Sequence, residues 1–301
     1  MKKQSRRHFF KTAGLLTATI TAVSTKPAKA GPENILSNDR MGVLVDTTAC
    51  IGCRNCEWAC RKAHDLPAGN IDSYEDKSVF KQMRRPDKSA LTVINQYENT
   101  KQINSPINVK TQCMHCDHPA CVSACIVGAF SKKENGSVVW DTDKCIGCRY
   151  CMVACPFQVP SFEYDKALDP LIQKCDLCFE RTKEGLLPAC VDICPVEAMT
   201  YAPRSELIKI ARERIKRYPE KYINHIYGET EVGGTSWLYI AGQDLVKSKA
   251  MPKLGTKPAP GVSESIQHGI FAYFVPPASL YALLAGIMWL GKKKKESGEE
   301  K

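Results

Sequence analysis

Sixteen cysteines constrain this chain more than anything else in its 301 residues. They fall into four runs with none left over: Cys50, Cys53, Cys56 and Cys60; Cys113, Cys116, Cys121 and Cys125; Cys145, Cys148, Cys151 and Cys155; Cys175, Cys178, Cys190 and Cys194. Every run opens on Cys-x2-Cys and closes on Cys-x3-Cys, and Pro156 and Pro195 follow the last two runs at once. In the third run the cysteines recur at every third residue, the spacing of a loop that wraps a [4Fe–4S] cube and aims three thiolates at three irons. The fourth cysteine falls where the chain turns into a helix, so it points away toward a neighbouring cube. Gly147 lets backbone N–H groups approach cluster sulfur, and Pro156 fixes the exit. Cys-x2-Cys pairs also suit tetrahedral zinc, and sixteen cysteines allow a disulfide framework. Neither explains the closing Cys-x3-Cys of every run. The expected cofactors are four [4Fe–4S] clusters, whose removal is expected to unfold the body because ligand binding energy there is folding energy.

The direction of each fourth cysteine sets which thiols share a cube. Residues 127–141 read as a β-hairpin with Asn135-Gly136 at the turn, which makes the second and third runs partners. A strand at 196–201 is expected to pair with the strand 43–45 ahead of Cys50, which joins the first run to the fourth. Exchanging fourth cysteines between partner runs then gives four sets. Cys50, Cys53 and Cys56 share cluster 1 with Cys194, and Cys175, Cys178 and Cys190 share cluster 2 with Cys60. Cys113, Cys116 and Cys121 share cluster 3 with Cys155, and Cys145, Cys148 and Cys151 share cluster 4 with Cys125. The expected fold is α+β, two interleaved dicluster modules, the outer from runs 50–60 and 175–194 and the inner from runs 113–125 and 145–155.

The formal charge of +10 sits mostly at the ends. The first thirty residues hold seven basic side chains and no acid, and the tail 292–301 holds five lysines against three glutamates. The near-neutral body turns acidic once cluster thiolates are counted, which removes the case for nucleic acid as a partner. Ser5-Arg6-Arg7-His8-Phe9-Phe10-Lys11, a mildly apolar run and Ala28-Lys29-Ala30 make residues 1–30 a twin-arginine signal peptide. Export in a folded state explains how cysteines leave the cytoplasm as cluster ligands instead of disulfides. Residues 43–202 form the four-cluster body. Within it 61–106 read as a polar surface insert, with Lys81, Arg84, Arg85 and Lys88 as a solvated face. Residues 203–263 are an extension and linker, with a helix capped by Ser205 and running to about Arg217, and a strand at 235–241. Residues 269–290 lack charge over a bilayer-spanning length and read as a transmembrane helix. Lys292 to Lys295 then place the tail 291–301 in the cytoplasm. Leader and tail agree on one topology, a single-pass cytoplasmic-membrane protein with its body on the periplasmic side.

No phosphate loop, dinucleotide fingerprint or G-x-S-x-G is present, so the chain reads as an electron conductor and not as an enzyme with its own substrate site. His115 and His118, inside the second run, are read as packing or hydrogen-bonding groups rather than ligands. Residues 43–202 resemble the four-cluster iron–sulfur subunits of membrane-bound respiratory oxidoreductases, a ferredoxin-like family. The likeness is closest to the subunit of type-two uptake [NiFe] hydrogenase, in Gln112-Cys-Met-His-Cys116, Cys148-Arg-Tyr-Cys-Met-Val-Ala-Cys-Pro156, Tyr227-Gly-Glu-Thr-Glu-Val-Gly-Gly-Thr235 and Ser265-Ile-Gln-His268. This resemblance implies the same crossed ligand sets. It also implies electron transfer from a catalytic partner, the hydrogenase small subunit, to an integral membrane subunit that reduces quinone. The Gly-Gly-Thr segment and single anchor also resemble the iron–sulfur subunit of formate dehydrogenase, a molybdopterin oxidoreductase and the alternative reading. That family usually lacks its own leader. Ile126 stands where many relatives have proline after the cysteine, an expected loosening of that helix exit. Replacing Arg6 and Arg7 by lysine is expected to retain the protein in the cytoplasm, read by fractionation; unchanged export would remove the compartment assignment.

Overall fold

The computed structural model describes residues 40–99, 105–166 and 170–260 and a few positions between 281 and 289. The expected leader at 1–30, most of the expected membrane helix at 269–290 and the tail at 291–301 lie outside the described residues. Among the described residues no helix is long and apolar enough to cross a membrane.

A small three-stranded sheet joins the two ends of the body. Its central strand β1, Met41–Asp46, runs antiparallel to β8, Met199–Pro203, with Val45 opposite Met199 and Met41 opposite Pro203. On its other side β1 runs parallel to β9, Trp237–Ile240, with Val43 opposite Trp237. Side chains alternate across a strand, and here both faces are buried. Val43, Val45, Trp237 and Tyr239 face the cysteine-bearing core with Ile94, Val109 and Met114. Leu44, Leu238 and Ile240 face the helix α6, Arg204–Arg217, through its Leu207, Ala211 and Ile215. Those three recur every four residues and so form one stripe. The helix stops before Pro219, which cannot continue it. Its first helical residue is Arg204 and its cap position is Pro203, the end of β8, so Ser205 is not the cap that the sequence suggests.

The remaining elements are short. The helices α1 (Asn55–Ala63), α2 (Ala120–Ser123), α3 (Tyr150–Ala154), α4 (Phe179–Lys183) and α5 (Ala189–Asp192) each carry or adjoin cysteines of one run. The hairpin between the second and third runs is β4 (Phe130–Lys132) with β5 (Val138–Trp140). A second short pair, β6 (Ser161–Phe162) with β7 (Ile172–Gln173), links the third run to the fourth.

The stretch 61–106 runs over the surface through residues 61–89 and enters the core at residues 90–95. It opens with two 3-10 turns, Ile71–Glu75 and Lys77–Lys81, and holds β2 (Val93–Tyr97), which pairs along its length with β3 (Ile107–Thr111). Leu91, Val93 and Ile94 are core residues, a short apolar run hidden among charges. Of the basic cluster, Lys81, Arg85 and Lys88 are exposed as a solvated face requires, and Arg84 alone turns inward. Arg84 grips Glu57 with two nitrogens at 2.6 and 3.0 Å, Lys88 pairs with Asp165, and Arg85 reaches Gln158.

Glu57, 1% exposed, is the anchor of that region. Its carboxylate accepts from Arg84, from Arg54 at 3.2 Å and from the Ile94 N–H at 2.7 Å. Burial pushes the carboxyl pKa up, and these donors together reverse it to a lowered value. Replacing Glu57 by Ala leaves two guanidinium groups buried without their acid and is expected to cost about 3–5 kcal/mol. Lys88→Ala, which breaks a pair with both side chains substantially exposed, is expected to cost under about 1 kcal/mol. Denaturant midpoints of the two variants, followed by visible absorbance, check the contrast.

Candidate metal centres

The four runs share one local device. The third residue of each adopts a left-handed conformation: Gly52 (φ 72°), His115 (φ 48°), Gly147 (φ 69°) and Leu177 (φ 64°). This turns the chain inside the loop, and only glycine reaches it without steric cost. Arg54 and Arg149, also left-handed, start α1 and α3. The exits match as well. After the closing cysteine an N–H three residues on returns to the cysteine carbonyl, in Gln158 to Cys155 at 3.0 Å, Glu197 to Cys194 at 3.2 Å and Gly128 to Cys125 at 3.1 Å. The exit after Cys125 therefore keeps the same turn despite Ile126 in the proline position. The first run departs from this pattern, since α1 continues past Cys60 to Ala63.

All sixteen thiols are free of disulfides, and their surroundings gather them. Cys50, Cys53, Cys56 and Cys194 line a single cavity with Ile94, Lys110 and Met199. Burial pushes the Cys50 thiol up to about 11, and the neighbouring Cys194 and Cys53 add to it. Cys178 rises to about 12 through burial, with Cys190 and Cys60 as neighbours. Cys175 is raised by burial and then by Cys60. Cys116 is raised by burial and by Cys113, Cys155 and Cys121. Cys151 reaches about 11 through burial, then Cys145, Cys148 and Cys125. Electrostatic coupling also reaches between these neighbourhoods. Cys56 feels Cys190, Cys175 feels Cys113, and Cys121 feels Cys151. Thiols crowded in a dry interior resist ionisation, and a polycationic metal group is what makes such a set stable as thiolates. This donor set fits cubic iron–sulfur clusters.

Several residues that serve these sets gave no signal in the sequence. His64 bridges the first and fourth runs: its Nε2 meets Asp176 at 2.8 Å and its Nδ1 the Cys60 carbonyl at 2.8 Å. Burial opposes its charge, but Asp176 and Cys60 raise it to about 11, while Asp176 falls to about 2. The pair is therefore ionic, spanning 112 positions that no local pattern connects. Lys110 and Lys174, both buried, stand among the thiols. His115 is packed as expected and wholly buried; its Nδ1 accepts from the Val138 N–H at 2.8 Å, which fixes the second run to the hairpin. The segment from Tyr227 to Thr235 braces the same run. Gly234 (φ 103°) accepts from the Asp117 N–H, and a Cβ there would lie 2.4 Å from the Asp117 carboxylate. Asp117 in turn holds Arg40 and, at 3.7 Å, Lys132.

The 4Fe-4S dicluster domain family matches residues 107–204. Hydrogenase-2 operon protein HybA of Escherichia coli O157:H7 is 33% identical over 321 aligned positions, covering 96% of this chain and 95% of that one. The chain belongs to this ferredoxin-like family of iron–sulfur electron-transfer subunits. A protein of Nitratidesulfovibrio vulgaris is 48% identical over 85% of this chain and 69% of its own length. The iron–sulfur subunit of nitrate-inducible formate dehydrogenase of Escherichia coli K12 is 32% identical over 65% of this chain and 66% of its own. The cofactors are accordingly four [4Fe–4S] clusters, and the chain is a relay component of a multisubunit oxidoreductase.

Gly52 offers a direct check on the first loop. An added Cβ would lie 2.5 Å from Asn108 Oδ1, and Asn108 Nδ2 donates to the Cys50 carbonyl at 2.8 Å. Gly52→Ala combines that clash with a left-handed backbone costing about 1–2 kcal/mol. It is expected to lower iron content by loss from one cluster, measured as iron per chain after desalting.

Proposed function

We propose that this chain carries electrons through four [4Fe–4S] clusters from a hydrogenase small subunit to a quinone-reactive integral membrane subunit. The observation that carries this reading is the end-to-end match to HybA, 96% of one chain and 95% of the other. The match to the formate dehydrogenase subunit covers about two thirds of each chain. The likeness to that subunit keeps a molybdopterin oxidoreductase as the second reading. In the same proposal the twin-arginine leader exports the folded body, and residues 269–290 anchor it at the cytoplasmic membrane with the body periplasmic. Clusters bound here accept and return single electrons. What the chain itself supplies is dry, crowded thiols, backbone turns that aim them, and surfaces for partners at the two ends.

The ligand sets proposed are the crossed ones: Cys50, Cys53, Cys56 with Cys194; Cys60 with Cys175, Cys178 and Cys190; Cys113, Cys116, Cys121 with Cys155; Cys125 with Cys145, Cys148 and Cys151. The thiol neighbourhoods support this grouping. Cys148 is the exposed member of the sixteen, and Ile126, Ile146 and Val153 around that end are each more than 60% exposed. Such an apolar rim is a site where a protein partner docks.

Co-purification on a C-terminal tag is expected to bring down a hydrogenase; recovery of a molybdopterin enzyme instead would favour the second reading. For the ligand sets, Cys60→Ser is expected to disturb the same signal as Cys178→Ser in redox-titrated electron paramagnetic resonance. If it instead matches Cys53→Ser, the crossed assignment fails.

A further inference from the structure

Two buried lysines stand where consecutive thiol sets meet. Lys110 is 2% exposed, on β3. Its Nζ donates to Thr92 Oγ1 at 2.6 Å and to Gln112 Oε1 at 3.2 Å, and lies 4.6 Å from the centre of the Trp237 ring. Its backbone carbonyl accepts from the Tyr239 hydroxyl at 2.9 Å, so main chain and side chain are both held. It lines the cavity of Cys50, Cys53, Cys56 and Cys194. Among the charges acting on it, the strongest are Cys190, Cys56, Cys175 and Cys60. One of these belongs to the first set and three to the second. Lys174, 7% exposed, donates from Nζ to the Val138 carbonyl and to the Cys175 carbonyl at 3.0 Å. Its strongest charge neighbours are Cys113 and Cys121 of the third set and Cys175 of the second, followed by Asp176.

An ammonium group taken out of water costs several kcal/mol unless opposite charge repays it. The polar contacts of Lys110 Nζ among the described residues are a hydroxyl and an amide oxygen, both neutral. Such a side chain is anomalous as packing and explicable as a counter-charge. Its position between two sets, not within one, defines what it acts on.

We propose that Lys110 and Lys174 are fixed cations between consecutive clusters, Lys110 between clusters 1 and 2 and Lys174 between clusters 2 and 3, each raising the reduction potentials of both neighbours. The proposal rests on the crossed ligand sets. An electron arriving on either side adds one negative charge near a cation in a poorly screened interior, which stabilises the reduced form. Because one cation acts on two neighbours, it raises them together and adds little to the difference between them. Lys110 lines the cavity of the first set, so cluster 4 serves as the reference for substitutions at Lys110 and cluster 1 for substitutions at Lys174.

The test is redox-titrated electron paramagnetic resonance of the full chain with its four clusters, signals first assigned with Cys53→Ser, Cys178→Ser and Cys116→Ser. Lys110→Met is expected to lower the midpoints of clusters 1 and 2 and leave cluster 4 in place. Lys110→Arg is expected to keep both midpoints near those of the parent protein. Lys174→Met is expected to lower clusters 2 and 3 and spare cluster 1. Should Lys110→Met fail to load, Thr92→Val, which removes the shortest bond of Nζ together with the Thr92 hydroxyl's bond to the Thr111 carbonyl, is expected to lower the same two midpoints by less. Unmoved midpoints in loaded protein, or an equal fall of all four, would overturn the proposal. If the cysteine variants group the signals differently, the ligand sets fail instead, so the two failures are distinguishable.

Discussion

Crowded, dry thiols are the condition on which the rest of this structure depends. Burial pushes Cys50, Cys178, Cys116 and Cys151, one thiol from each set, toward the protonated form, and the thiols beside them push further. Such a core is self-opposing until iron is bound, and ordinary apolar packing does not remove the opposition. The compensations lie close by. Lys110 and Lys174 sit among the thiols, the ionic pair of His64 and Asp176 ties α1 to the fourth run, and loop N–H groups reach sulfur, as from Ala129 to Cys125 at 3.1 Å. Cluster binding and folding are one process in a body built this way.

The sheet serves that process by closing the chain on itself. β1 lies just before Cys50 and β8 just after Cys194, so their antiparallel pairing carries the first and last runs together across about 150 residues. β9 adds a parallel strand whose Trp237 lies under the Lys110 ammonium, and its neighbour Ser236 bonds back to the Met114 carbonyl at 3.1 Å in the second run. A strand outside the cysteine region therefore fastens both modules.

Much of this was legible in the chain because it is written locally. Spacing identifies the runs, Asn135-Gly136 the hairpin, and short apolar runs the strands around Val43 and Leu238. The failures have a common physical cause. The strand Val93–Tyr97 is hidden in a charged stretch, and one of those charges turns inward: Arg84 neutralises Glu57, 27 positions away. Positive φ at His115 and Leu177 repeats what Gly52 and Gly147 do, yet nothing in a non-glycine residue advertises it. His64, Asp176, Lys110 and Lys174 act across the runs, and a partner more than a hundred residues away leaves no local pattern.

The central claim is that four crossed sets lie in the order 1, 2, 3, 4. Neighbouring reduced clusters broaden and relax one another's magnetic signals, so deleting one member of a line shows who its neighbours were. Cys175→Ala together with Cys178→Ala removes the second set. In the fully reduced variant, the signal of cluster 1 is expected to become sharp and slow-relaxing while clusters 3 and 4 stay coupled. A cluster 1 signal that remains coupled, or loss of the coupling between clusters 3 and 4, would contradict the account.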